Sequence, residues 1–314
     1  GSPLVVGMGK KKGEIYFSSD VLSFGPHVKS VVVLENGQMA VTRGAGLEVF
    51  DIRSGKKMKF LVEKNAIIGA SPDKGAYPHY MIKEIMESPS AIRAVSKQKD
   101  ADLRKLAHAI KKARKVFTIG SGTAGAAAAQ MAFYLRAYGG IPATSLIGAE
   151  ASEYYPLFEK RDLLIALSQS GETADVLEVL EIAKKKGAKI ASYVNMPGSM
   201  MSRMSDYRYM ADAGPEICVM STKIFTSQIA WGYLVAKAVQ GKLKQGKIEM
   251  RSLAKQMARF LAKRAGVDAI AELAPRMAGH SHLFILAKGQ NLQIAREAMV
   301  KIIEGSYIHA HAIP

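Results

Sequence analysis

Leu164-Ile165-Ala166-Leu167-Ser168-Gln169-Ser170-Gly171-Glu172-Thr173-Ala174-Asp175 changes character twice within a few residues. An apolar run beginning at Leu163 gives way to small polar residues, a glycine turns the chain, and apolar residues then recur at helical spacing over 173–186. A short apolar run without alternation is what a strand buried on both faces requires, and such strands belong to parallel sheets with helices on each side. The same order recurs upstream, where residues 116–119 lead through Gly120-Ser121-Gly122 into a helix over 123–138. Further apolar runs at Ala143–Ile147 and 190–194 alternate with these helices. The spacing therefore predicts a doubly wound, parallel-sheet α/β domain with right-handed crossovers.

On the N-terminal side, residues 1–62 read as strands and hairpins. Val31-Val32-Val33-Leu34 and Met39-Ala40-Val41-Thr42 flank Glu35-Asn36-Gly37-Gln38, a strong hairpin signal because both central residues tolerate positive φ. A second pair, Leu47-Glu48-Val49-Phe50 and Met58-Lys59-Phe60-Leu61, lies either side of Arg53-Ser54-Gly55, so this segment is expected to be antiparallel sheet without a helix. The Gly, Pro, Ser and Asp content of 69–77 marks a boundary. Two helices are expected over 79–87 and 91–112, separated at Ser88-Pro89. On the C-terminal side, helical patterns cover 221–239, 248–263 and 267–277. Leu283-Phe284-Ile285-Leu286 then leads through Lys288-Gly289-Gln290 into a helix over 292–306, which restarts the strand-turn-helix pattern as a second, incomplete copy one βα unit long.

The 314 residues carry 44 Lys+Arg against 27 Asp+Glu, a net charge of +17, with 48% hydrophobic residues and one cysteine. That composition suits roughly two domains with real cores and excludes fibres and disorder. A single cysteine builds neither a disulfide within the chain nor a thiolate metal site. No apolar run has the length of a membrane span, and no secretory leader opens the sequence, so a soluble, cytoplasmic protein is expected. The lysine runs at 10–12, 56–57 and 184–186 are short and not interleaved with aromatics, which supports neither nucleic acid nor membrane as a partner and leaves small anionic substrates.

Ser168, Ser170 and Thr173 stand directly after a core strand, where hydroxyls and the free N–H groups of a helix N-terminus converge on an anion. Any one of them alone would read as a plain helix cap. Three together with a glycine, at the carboxyl edge of a parallel strand, point to a phosphate cradle. Gly120-Ser121-Gly122-Thr123-Ala124-Gly125 is a second turn of this kind. It lacks both the acidic residue of a dinucleotide site and the Gly-Lys-Ser/Thr of a Walker loop, so it is expected to bring backbone N–H groups to the same phosphate.

These residues resemble glutamine:fructose-6-phosphate aminotransferase (isomerizing), the glucosamine-6-phosphate synthase family. The segment 167–175 is similar to its phosphosugar signature, Ser221-Thr222-Lys223-Ile224-Phe225-Thr226 to its Ser-Thr-Lys-Ala-Phe-Thr motif, and His79-Tyr80-Met81-Ile82-Lys83-Glu84-Ile85 to the helix opening its isomerase half. Gly1-Ser2-Pro3-Leu4-Val5 and Ser19-Asp20 look like the closing part of its N-terminal-nucleophile glutaminase domain. The resemblance implies a glutaminase remnant over 1–70, a first SIS (sugar isomerase) domain over 71–245 and the start of a second over 246–314. It further implies that Ser168, Gln169, Ser170 and Thr173 hold the phosphate of fructose 6-phosphate, with Gly122 and Thr123 beside it, and that Val219 and Ser221 touch the sugar. Segment 297–310 is similar to the family's catalytic helix, which makes Glu304 the carboxylate shuttling a proton between C1 and C2, with Lys301 on the same helix face to pair with it.

Some residues depart from the family pattern. Ser121 stands where the family often has Cys and Ala124 where it often has Ser, a change that removes one hydroxyl from the cradle. Cys218 sits among apolar residues and reads as a packed thiol, so no glutaminase activity is expected of this chain. His309 and His311, spaced i, i+2, are assigned to different helix faces and to no metal. The expectations are an aminotransferase of amino-sugar biosynthesis that uses no cofactor or metal, turns fructose 6-phosphate into glucosamine 6-phosphate and assembles as a homodimer. The alternative is a SIS module that senses a sugar phosphate without turnover.

Overall fold

The computed structural model describes residues 4–64, except 12, 20 and 45, and residues 73–314. The expectations placed on Gly1-Ser2-Pro3, Lys12, Asp20 and the 69–72 part of the boundary lie outside the described residues. The chain divides into two compact units, Gly1–Asp73 and Lys74–Pro314.

In the first unit, β1 (Val5–Gly9) pairs antiparallel with both β2 (Ile15–Ser18) and β3 (Val28–Val33), while β4 (Gln38–Arg43) pairs with β5 (Gly46–Asp51), β5 with β6 (Lys57–Met58), and β3 with β7 (Glu63–Lys64). The turn at Gly37 forms, with φ +82°, but β3 and β4 do not pair across it. The expected first hairpin is instead a crossing between two sheets. Val6, Val32 and Leu34 of one sheet pack against Val49 of the other, so the strand is held by apolar surface rather than by the neighbour that follows it in sequence. The expected second hairpin forms only next to its turn, between Val49, Phe50 and Lys57, Met58. A 3-10 segment, Val21–His27, supplies buried Phe24, so the unit is not helix-free.

The second unit opens with α1 (Tyr80–Ser96) and α2 (Asp100–Lys112). The expected break at Ser88-Pro89 is absent: α1 runs through Pro89 and ends at Ser96, with Lys97 as its C-cap. Buried Ser88, Pro89, Ala91 and Ile92 hold the helix against its neighbours, and this packing outweighs the donor that proline removes. There follow β8 (Val116–Gly120), α3 (Thr123–Ala137), β9 (Ala143–Ile147), β10 (Leu163–Leu167), α4 (Ala174–Lys185), β11 (Lys189–Val194), α5 (Met200–Met204) and β12 (Tyr207–Met210). The five strands are parallel in the order β12-β11-β10-β8-β9. The chain thus leaves β8 toward one edge and returns to build the other half from β10, and the gap between β8 and β10 is the topological switch point at which ligands bind in open α/β sheets.

Burial follows the pleat. Leu163, Ile165 and Leu167 of β10 enter a cluster with α1, α2, α3 and α6 (Lys223–Val239), while Leu164 and Ala166 enter a second cluster with Val176, Val179 and Leu180 of α4. Trp231 of α6, fully buried, stacks on Tyr193 of β11 with ring centroids 4.6 Å apart and donates its Nε1–H to Gln98. Asp162, also fully buried just before β10, accepts a forked pair from Arg114 Nε and Nη2 at 2.9 and 2.8 Å.

α7 (Leu243–Ala262) and α8 (Arg264–Ala278) lead to β13 (His282–Leu286), α9 (Leu292–Ser306) and β14 (His309–Ile313). β13 and β14 pair in parallel, so the C-terminal segment carries one strand beyond the expected βα unit. His309 and His311 lie on β14, not on a helix. An i, i+2 spacing on a strand puts both on one face, exposed, with Ala310 buried between them. Among the described residues no helix is long and apolar enough to cross a membrane.

Candidate functional site

β8 and β10 are neighbours in a parallel sheet, so their two carboxyl-end turns emerge side by side, with the N-termini of α3 and α4 directly behind them. Gly171 makes the second turn possible. Its φ is +69°, and a Cβ there would stand 2.3 Å from Ser199 Oγ.

Between these turns lies a pocket of about 190 Å³. Its walls include Thr123, Ser168, Gln169, Ser170, Thr173, Val219, Ser221, Lys301 and Glu304, so nine of the residues singled out from the sequence meet in one cavity. Gly122, the tenth, is the N-cap of α3 and contributes backbone beside it. Ser121 and Ala124, the two departures from the family pattern, line the pocket as well, and so does Gln228, which no motif pointed to.

Thr173 occupies the N-cap of α4 without bonding it through its hydroxyl, which rests 3.4 Å from Ser168 Oγ. Ser168 Oγ accepts the Gly171 N–H at 2.9 Å, and Ser170 Oγ accepts the Glu172 N–H at 3.1 Å. A hydroxyl that accepts from backbone keeps its own proton to donate. The cradle thus presents O–H donors and two positive helix ends, the requirement for an anion. Ser121 Oγ is buried without a partner.

The opposite wall comes from α9. Lys301 Nζ lies 3.1 Å from Glu297 Oε1, 3.2 Å from Glu304 Oε2 and 3.2 Å from Thr123 Oγ1, and Thr123 donates to Glu297 at 2.8 Å. Lys301 and Glu304 therefore pair as the helical spacing anticipates. Glu297 escaped notice, although its i, i+4 relation to Lys301 was a usable signal. Its carboxyl is buried, which pushes its pKa up; the Thr123 hydroxyl and the Lys301 charge oppose this.

The loop over the pocket is held from below by two buried acids. Glu84 of α1 accepts the N–H groups of Ile217 and Cys218, and Glu216 accepts those of Thr222 and Ile224 and the Ser221 hydroxyl. Burial raises the Glu216 pKa, while these donors pull it down. Val219, fully exposed, projects from this loop at the pocket rim. Burial also pushes up the Cys218 thiol, the opposite of what a nucleophile needs.

Comparison with known proteins agrees with this geometry. The SIS domain family model matches residues 109–238, which span β8 to α6. The chain is 36% identical to the glutamine–fructose-6-phosphate aminotransferase (isomerizing) of Shewanella oneidensis over 99% of its own length and 53% of the relative's. It is 32% identical to that of Pyrococcus horikoshii, covering 99% of this chain and 52% of that one. The chain thus spans about half the length of the curated relatives it matches. The solved C-terminal domain of glucosamine-fructose-6-phosphate aminotransferase from Francisella tularensis superposes with a TM-score of 0.62 at 30% identity, over 77% of this chain and 71% of that one. By sequence along its whole length and by the fold of its SIS domain, this chain belongs to the glutamine–fructose-6-phosphate aminotransferase (isomerizing) family.

Proposed function

We propose that the pocket between β8 and β10 binds fructose 6-phosphate and that this chain is the sugar-phosphate-handling part of an enzyme making glucosamine 6-phosphate. The observation that carries the reading is the convergence of the Ser168, Ser170 and Thr173 hydroxyls, two helix N-termini and the Lys301 ammonium on one small cavity at the switch point of the sheet. The phosphate sits on the two turns. Lys301 and Glu304 face the sugar, where the carboxylate moves a proton between C1 and C2 and the lysine holds it in place. Segment 1–70 is the tail of a glutaminase domain, 71–245 the first SIS domain and 246–314 the start of the second. The assembly is a homodimer working in the cytoplasm.

Calorimetric titration tests the site. The chain is expected to bind fructose 6-phosphate and not fructose, and the double variant Ser168→Ala/Thr173→Ala to lose about a hundredfold in affinity, since each bond to a charged group contributes about 1.5 kcal/mol or more. Equal binding of fructose and its phosphate would refute the assignment. Incubation with fructose 6-phosphate and ammonia separates the enzyme from a sensor: formation of glucosamine 6-phosphate excludes the sensor, and binding without turnover excludes catalysis by this chain.

A further inference from the structure

Gln228 is 1% exposed, lines the phosphosugar pocket, and has neither its amide nitrogen nor its amide oxygen bonded to anything in the protein. It lies on α6, which is otherwise fully satisfied here: the adjacent Ser227 shares a 2.6 Å hydrogen bond with Tyr193 Oη, and Trp231 one turn on donates to Gln98. A buried amide with both ends unpaired costs free energy in the folded chain; Gln130 shares that state, but of the two only Gln228 faces the pocket, where a ligand can complete it.

The chemistry of the amide selects the partner. A phosphate offers acceptors only, so it can satisfy the nitrogen but leaves the carbonyl oxygen facing negative charge. A sugar hydroxyl both donates and accepts, and one or two of them answer both ends of the amide. Donors for the phosphate are already supplied by the turns after β8 and β10. We propose that Gln228 is a specificity residue that reads a hydroxyl of the sugar rather than the phosphate. This rests on the assignment of the pocket to a phosphosugar. A site with a hydroxyl-matched amide rejects ligands lacking that hydroxyl, because the amide is then left unpaired.

Gln228→Met keeps the side chain's volume and removes its polarity. Titrated with fructose 6-phosphate, it is expected to bind at least about tenfold more weakly than wild type, while its affinity for inorganic phosphate stays within about twofold. Without ligand its melting temperature should equal or exceed that of wild type, since an unpaired amide has left the core. If the methionine variant does not fold, Gln228→Asn, which keeps the amide but withdraws it by one methylene, should show the same loss confined to the sugar. Equal sugar affinity in wild type and variant overturns the role of Gln228 and leaves the pocket assignment standing. A drop in stability with both ligands weakened alike makes the residue structural and overturns it too. Failure of wild type to bind the phosphosugar better than phosphate removes the pocket assignment and the inference with it.

Discussion

Gly120→Ala is expected to cost about 3 kcal/mol of stability and to abolish binding of fructose 6-phosphate. Gly120 ends β8, and a Cβ built there would stand 2.5 Å from the backbone carbonyl carbon and oxygen of Ala124 and 2.8 Å from Gly125 N. Those atoms belong to the first turn of α3, so relief requires the helix to move away from the strand, taking Ser121, Gly122 and Thr123 with it. Gly125→Ala is the control. Its Cβ would lie 3.3 Å from Gly120 O, and the gain in helix propensity from alanine, up to about 1 kcal/mol, offsets the tightness. Denaturant midpoints and calorimetry on the two variants decide the matter. A Gly120→Ala protein that unfolds and binds like wild type would show that the close strand-to-helix approach does not build the cradle.

Lys301→Met is expected to lose about 3 kcal/mol together with the only cation among the described residues that line the pocket, because it strands buried Glu297 without a counter-charge. The double variant Glu297→Gln/Lys301→Met should recover most of the stability and none of the affinity for sugar phosphate. Acidification should show the same thing. Glu297 is already raised above its usual value of 4.5 by burial, and without Lys301 it is raised further. A carboxyl raised in the folded state supports the fold in its protonated form and ceases to do so as pH rises through its folded value. The deficit of Lys301→Met against wild type should accordingly be widest near neutrality and narrow as pH falls toward 4.5. A deficit that is flat with pH would separate Lys301 from Glu297.

The parallel sheet was readable because its central strands are apolar on both faces, as in Leu163–Leu167, where every residue is buried. The cradle was readable because small polar residues and glycines interrupt that pattern at one edge. Elements with weak local signal were not. β12 is Tyr-Arg-Tyr-Met at the edge of the sheet, and β14 is His-Ala-His-Ala-Ile, where alanines fill the buried side and suggest helix rather than strand. The Asn36-Gly37 turn misled for another reason: it specifies a reversal but not which strand pairs with which, and packing between the sheets decided that. Gln228 reaches the pocket only through the docking of α6, and Glu297 meets Thr123 only through the docking of α9 on α3, tertiary outcomes that no single motif encodes. Thr173 does take the N-cap position of α4, but its hydroxyl bonds Ser168 Oγ rather than the helix's own N–H groups.

The chain contains one tryptophan, and the fold places it against Tyr193 in the core, three residues along α6 from Gln228. Its indole emission is therefore expected to serve as a built-in optical reporter, at short wavelength while the ring is buried and moving to longer wavelength when water enters. Every stability comparison above can be followed in unlabelled protein by that single fluorophore.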